Sequence, residues 1–370
     1  MRKAFLTVHL WAGLIAAVFL FLVGISGAII AFENELDRFL NSGLYYVQPR
    51  GHLLGLDAIS QKLLAQYPGA KIDGFEPPEK PDLALIVGLE PSSGKEMTLF
   101  VDPYTGDVRG DAQQGNRFVS RVHQFHTHLL AGEIGKQIVG WSGVFLLLLS
   151  ITGIVLWWRA KVFRWPSSGT PTRFHFELHS TSGLLSSVFL FIFAITGICI
   201  HWERQVNALA AKMSPSPSGR PAQRPDSGTV PLSPDRLIEV AKSALPDARV
   251  TLLQMSSAPR QPVTVVLKFP EDHTPLGRTR MAIAPYSGRV LQIQSSRDFS
   301  PAMKYSRMWN REIHTGDIFG MPTRILAAFF SLMVPLLAVT GPLLWWNRRR
   351  AASRATRGVL SSKAEFAEGS

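Results

Sequence analysis

The sequence predicts an α-helical integral membrane protein. Four transmembrane helices form two parallel helix–domain–helix repeats, with two small α+β domains on the outer side. Three observations predict it: four long apolar blocks, a lopsided distribution of basic residues, and self-similarity between the two halves of the chain.

The 370 residues are 46% hydrophobic and 18% charged, which excludes a disordered chain. The apolar residues concentrate at 4–33, 134–158, 176–202 and 318–346. Each block can cross a hydrocarbon core of about 30 Å. The first follows Arg2 and Lys3 like a signal peptide. Its length, and the lack of a small-x-small cleavage site before Glu33, favour a retained helix. Transmembrane helix 1 therefore spans 4–33, helix 2 spans 134–158, helix 3 spans 176–202 and helix 4 spans 318–346.

The net charge of +12 invites a nucleic-acid reading, but its placement excludes one. Arg2 and Lys3 precede helix 1, Arg159, Lys161, Arg164 and Arg173 lie in the 159–175 loop, and Arg348, Arg349, Arg350, Arg354, Arg357 and Lys363 occupy the 347–370 tail. Those three segments fall on one side of a four-span protein, and the excess of cations marks that side as cytoplasmic. The expected location is the bacterial inner membrane with both termini cytoplasmic. Residues 34–125 and 203–317 are then periplasmic.

The halves match in detail. His9, Gly13, Gly27 and Glu33 recur as His179, Gly183, Gly197 and Glu203, all offset by 170. Thr152-Gly153 and Trp157-Trp158 recur as Thr340-Gly341 and Trp345-Trp346, offset by 188, and at that offset His126-Thr127 falls on His314-Thr315. The outer segments repeat too: DAISQKLLAQY, LALIV and LFVDPYTGDV are answered by DRLIEVAKSAL, VTVVLKF and MAIAPYSGRV. Each set reads as a helix followed by strands with Pro-Tyr-Thr/Ser-Gly turns. Ser214 to Pro234 reads as a linker into the second domain. Parallel repeats are expected to pack about an axis along the membrane normal, which brings repeat-matched residues face to face.

That expectation singles out four of the ten histidines. His9 pairs with His179 near the cytoplasmic ends of helices 1 and 3, and His126 with His314 near the outer ends of helices 2 and 4. Ionisable residues in membrane helices are costly and usually functional. Facing imidazoles are what axial ligation of haem iron requires. One cysteine, Cys199, excludes CxxCH attachment, so a haem held by such a pair would be b-type. Gly13 and Gly183 leave room for a macrocycle or let helices approach closely. His175, one turn before His179, is an alternative ligand, as is His128, two residues after His126. Arg117, Arg121, Arg307, Trp309 and Arg311 are candidates for substrate or haem-propionate contact, or for interfacial anchoring. A continuous helix would place His126 about 46 Å from Trp157. Breaks are therefore expected near Gly132/Gly135 and Gly320/Pro322.

Taken together, these motifs resemble the PepSY-associated transmembrane-helix family of bacterial inner-membrane proteins. The His-x-x-x-Gly pairs, the DPYTG and APYSG segments, HTHLLAGEIG and the TG-x-x-L-W-W endings carry the resemblance, over about residues 3 to 350. The chain is most similar to the ferric-siderophore reductases of the ferrioxamine B type. The resemblance implies two PepSY-like domains, two b haems held by His9, His179, His126 and His314, and outward electron transfer. A haem-dependent oxidoreductase would reduce the iron of a periplasmic ferric siderophore and release Fe(II) for iron uptake and transport. Its electron donor is an unidentified cytoplasmic or membrane component, since no GxGxxG or P-loop is present. Two alternatives remain at this point: a membrane-anchored PepSY binding or regulatory protein, and a metal transporter using His123, His126 and His128.

Overall fold

The computed structural model describes residues 2–92, 94–113, 115–160, 163, 165–166, 170–214, 230–256, 258 and 261–368. Residues 215–229 of the expected linker lie outside that set, as do several of the basic loop. The helices are α1 (Arg2–Ile30), α2 (Glu33–Leu40), α3 (Ser42–Tyr45), α4 (Leu56–Gln66), α5 (Phe118–His128), α6 (Gly132–Ala160), α7 (Pro171–His201), α8 (Glu203–Met213), α9 (Pro234–Ala244), α10 (Pro301–Lys304), α11 (Asn310–Thr315) and α12 (Met321–Glu368). The strands are β1 (Lys71–Glu76), β2 (Leu85–Glu90), β3 (Met97–Val101), β4 (Val108–Asp111), β5 (Arg249–Gln254), β6 (Val263–Lys268), β7 (Thr279–Ile283) and β8 (Val290–Gln294).

The chain divides into a helical unit (residues 1–32, 120–202 and 313–370) and a sheet unit (33–119 and 203–312). Among the described residues of the helical unit, α1, α6, α7 and the 321–353 part of α12 are long and apolar enough to cross a membrane. The protein is thus a multi-pass membrane protein. In the bundle α1 packs against α6 and α12, and α7 packs against the same two. Buried Ala16, Leu20, Leu190 and Val334 fill its centre. The span bounds differ slightly from expectation. In particular α7 starts at Pro171, inside the expected 159–175 loop, because Pro171 sits at its first turn and the Thr170 side chain accepts the Arg173 amide. The 347–370 tail continues α12 as far as Glu368.

Small residues set the closest helix approach. A Cβ on Gly24 would lie 2.6 Å from the Pro335 ring, so only glycine lets α1 reach α12 there. Pro335 cannot bond the Ser331 carbonyl one turn back. The Ser331 hydroxyl in turn donates to the Gly24 carbonyl at 2.9 Å.

The sheet unit corrects the expected domain division. Two separate domains at 34–125 and 203–317 were expected. Instead all eight strands form one antiparallel sheet, in the order β4-β3-β2-β1-β5-β6-β7-β8. The join is β1 with β5, where Phe75 pairs with Leu253 and Gly74 with Gln254. Phe75 and Leu253 are 178 positions apart and each is fully buried. A bulge interrupts β1 between Ile72 and Gly74, and another interrupts β5 between Val250 and Leu252, again 178 apart. Separate domains would leave β1 and β5 as unpaired edges, which are prone to pair with other chains. Joining them removes both edges.

Helices α4 and α9 cover one face through Ile59, Leu63, Leu237 and Ala241. Their first turns cap each other. Asp235 of α9 accepts from the amides of Leu56 and Asp57, at 2.8 and 3.0 Å, and Asp57 accepts from the Asp235 amide at 3.1 Å. Each carboxylate thus satisfies amides that its partner helix leaves unpaired.

Candidate functional site

Within the helical unit, His9 of α1 and His179 of α7 face each other. Their ring centres lie 6.3 Å apart and their planes are 85° apart. Each ring is fixed from behind by the neighbouring helix. His9 Nδ1 lies 2.8 Å from the Thr152 hydroxyl, and His179 Nδ1 lies 2.8 Å from the Thr340 hydroxyl. Both hydroxyls give their own proton to the helix, Thr152 to the Leu148 carbonyl and Thr340 to the Leu336 carbonyl. A hydroxyl has one proton to give. Each therefore accepts from Nδ1–H, and the tautomer leaves the Nε2 lone pair of both histidines free to bind a metal. Gly153 and Gly341 lie against the rings: a Cβ on either would be 3.4 Å from the nearest ring carbon.

A metal-bound imidazole nitrogen lies about 2.0–2.1 Å from its ion and about 1.1 Å from its own ring centre, so two imidazoles on opposite sides of one ion have ring centres roughly 6–6.5 Å apart. The His9–His179 spacing matches that requirement.

His126 and His314 both belong to the helical unit. They reach the bundle because the chain breaks on either side. α5 ends at His128, Leu129 and Leu130 take left-handed φ values of 48° and 55°, and α6 restarts at Gly132 with φ 56°. Left-handed leucines cost about 1–3 kcal/mol each, so surrounding structure must enforce this turn. Part of that structure is Gly135, where a Cβ would fall 1.7 Å from the His128 carbonyl. In the second half Gly316 (φ 83°) and Gly320 (φ 70°) frame the corresponding break.

Turned inward, His126 donates from Nδ1 to the Val23 carbonyl at 3.0 Å, with the Ser26 hydroxyl 3.1 Å away. His314 Nδ1 lies 2.9 Å from the Thr196 hydroxyl, which gives its proton to the Ile192 carbonyl at 2.6 Å. The tautomer is thus the same as at His9, and Nε2 is again free. Gly27 and Gly197 back these rings, at 3.0 and 3.2 Å from a would-be Cβ. Val23 and Ser26 lie within α1, well inside its apolar span. From His9 to Ser26 is 17 residues, about 25 Å along the helix at 1.5 Å per residue. His179 to Thr196 repeats that separation on α7. The two histidine levels are therefore far closer than a continuous helix from Trp157 to His126 would allow.

The two alternative histidines meet different neighbours. His175 Nδ1 lies 3.4 Å from Asn347 Nδ2, not on the His9 ring. His128 Nδ1 meets its neighbour Thr127 at 2.7 Å. Among the described residues no group of three or more His, Cys, Asp or Glu is placed to hold a metal ion, so His123, His126 and His128 do not form a three-ligand site. A Cβ at Gly13 or Gly183 would meet a leucine at 3.6 or 3.5 Å, an ordinary contact. Close helix packing therefore does not demand glycine there.

Of the polar candidates, Arg307 is half-buried in the sheet unit, 5.6 Å above the Phe299 ring, while Trp309 and Arg311 of that unit are exposed. Arg117 and Arg121 are both exposed and fall in different units.

Sequence reasoning missed four residues that hold the histidines: Ser26, Thr152, Thr196 and Thr340. The signal was present, since Ser-Gly or Thr-Gly occurs at 26–27, 152–153, 196–197 and 340–341, matched at the 170 and 188 offsets. A family model described as the PepSY-associated TM region matches residues 6–348. No curated protein matches the chain.

Proposed function

Because this chain belongs to the PepSY-associated TM region family, we propose that it is a membrane electron-transfer protein that reduces ferric siderophores. In this reading it is a di-haem b oxidoreductase of the bacterial inner membrane, with both termini cytoplasmic. His9 and His179 hold the haem of the cytoplasmic side, and His126 and His314 hold the periplasmic one. The observation that carries the reading is the four-fold recurrence of one arrangement: a histidine with Nδ1 anchored, Nε2 free and a glycine against its ring. The donor chemistry fits a b-type haem, since neutral imidazole binds iron through one nitrogen while the other is held by an acceptor. When bound, such groups would supply reversible one-electron transfer between the two faces of the membrane.

The protein's own contribution is positional. Thr152, Thr340, Thr196, Ser26 and the Val23 carbonyl fix tautomer and ring orientation, so no proton need move when the iron changes charge. Gly27, Gly153, Gly197 and Gly341 let the Cε1–Nδ1 edge of each ring come close to its supporting helix. Apolar Leu20, Leu190 and Val334 separate the two levels and keep water from the centre of the bundle. A cytoplasmic or membrane donor supplies the electron. The acceptor is Fe(III) in a periplasmic siderophore, and Fe(II), with lower charge, is held less tightly by oxygen donors. Released Fe(II) then serves iron uptake.

A reduced-minus-oxidised visible spectrum of the purified protein, with pyridine haemochrome quantitation, tests this. Two b haems per chain, reoxidised by ferrioxamine B, are expected. A colourless protein from haem-replete cells would overturn the proposal.

A further inference from the structure

Away from the histidines, the sheet unit contains a cavity of about 240 Å³ lined by Arg278, Arg280, Arg307, Glu203, Asn207 and Phe299. Three guanidiniums meet one carboxylate there. Arg280 lies on β7, Arg278 just ahead of it, and Glu203 and Asn207 on α8. Arg307 comes from a single π-helical turn, Tyr305–Trp309. Such turns are rare and tend to occur at functional sites.

Among the described residues, two polar atoms of this cavity's lining are buried without a hydrogen-bond partner. Arg278 Nε has no acceptor, and Asn207 Oδ1 has no donor. The Asn207 amide orientation follows from its neighbour: Nδ2 donates to Glu203, a carboxylate that only accepts, so the oxygen faces away from it. Buried unpaired polar atoms are uncommon because each costs about 1–3 kcal/mol. Burial, and next the charge of Arg311, push the Arg278 guanidinium below its ordinary value. An anion in the cavity would offset the charge of Arg311 and accept from Arg278 Nε.

The cavity's arginines do not follow the repeat. The Pro-Tyr-Thr-Gly and Pro-Tyr-Ser-Gly turns are offset by 182. At that offset Arg278 and Arg280 fall on Glu96 and Thr98, and Glu203 and Asn207 fall on Glu33 and Asp37 at the 170 offset. The first half thus builds the same strands without the arginines. The strands therefore do not require them.

We propose that this cavity binds a small hydroxy-polycarboxylate. The guanidiniums take carboxylates in bidentate fashion. The Asn207 oxygen accepts a hydroxyl proton, which an unsubstituted carboxylate cannot offer. The volume exceeds what one phosphate fills. Binding here stands apart from electron transfer and does not rest on it.

Isothermal titration of the full chain in detergent, at fixed ionic strength, tests the site. Citrate binds with one site per chain. Tricarballylate, which has the same three carboxylates and no hydroxyl, binds several-fold more weakly, and inorganic phosphate more weakly still. Arg278→Gln and the more exposed Arg280→Gln each weaken citrate at least tenfold. Asn207→Ala brings citrate down to the level of tricarballylate. Absence of citrate binding, phosphate binding as tightly as citrate, or citrate binding unchanged in Arg280→Gln would each overturn the proposal. Arg280→Gln decides the matter if Arg278→Gln does not fold.

Discussion

Thr152 holds His9 by accepting its Nδ1 proton at 2.8 Å, while its own proton goes to the Leu148 carbonyl one turn back. The ligand's tautomer is therefore set by a side chain on a different helix. Thr340 does the same for His179. Each pair of histidines thus depends on all of its helices being docked before the nitrogens face one another.

Removing a ligand should remove one haem and leave the other. His9→Ala or His179→Ala is expected to halve the haemochrome content, and His126→Ala or His314→Ala to halve it independently. The single variants His9→Ala and His179→Ala should lose the same spectral component. Low-temperature difference spectra of the four variants check this, and loss of all haem in any one of them would count against two separate sites.

Replacing the anchor while keeping the ligand gives a different signature. Thr340→Val keeps the shape but leaves the His179 Nδ1–H unsatisfied, a penalty of about 1–3 kcal/mol. Haem affinity should fall about 10–100-fold, as for loss of other outer hydrogen bonds to metal ligands. The ring becomes a weaker donor, so Fe(II) gains on Fe(III) and the midpoint potential rises. Potentiometric titration reads the sign.

Closing the turn at Gly135 should affect only the His126–His314 pair. A Cβ there would overlap the His128 carbonyl, so Gly135→Ala forces the α5–α6 break to shift and carries His126 away from Val23. One haem per chain is expected, with the His9–His179 spectrum retained. The counterpart Thr323 already bears a side chain, whose hydroxyl donates to the Gly316 carbonyl. Thr323→Ala should therefore retain both haems.

Within the sheet unit the reciprocal caps are unequal. Asp235 accepts two amides of α4, whereas Asp57 accepts one of α9. Asp235→Ala should destabilise the unit by about 1–2 kcal/mol and Asp57→Ala by less, about 0.5–1 kcal/mol. Thermal unfolding followed by circular dichroism ranks them, and the reverse order would refute the assignment.

The buried strand pair at the join gives a larger effect. Leu253→Ala removes a fully buried side chain beside Phe75 and should cost about 2–5 kcal/mol. Its consequence extends to both halves, because β1 and β5 would become edges together. Hydrogen exchange should show protection lost in both strands, not in β5 alone.

Much of this architecture was legible in the sequence because it rests on local chemistry. Block length and hydropathy predict four spans, since a helix must be apolar over its whole length to cross lipid. The 170 and 188 offsets predict which histidines correspond, and His9 with His179 does face across the bundle. The Gly132 and Gly320 positions predict the breaks, because left-handed backbone favours glycine, although Leu129 and Leu130 share the turn without any such residue signal. Three things were decided only by tertiary structure. The β1–β5 pairing merges two expected domains into one sheet, and strand partners so far apart in sequence leave no local trace. His175 meets Asn347, a residue 172 positions away, and sequence spacing does not contain that information. The hydroxyl anchors at Ser26, Thr152, Thr196 and Thr340 look like ordinary small residues of membrane helices until the histidine that each one holds is brought against it by a different segment of the chain.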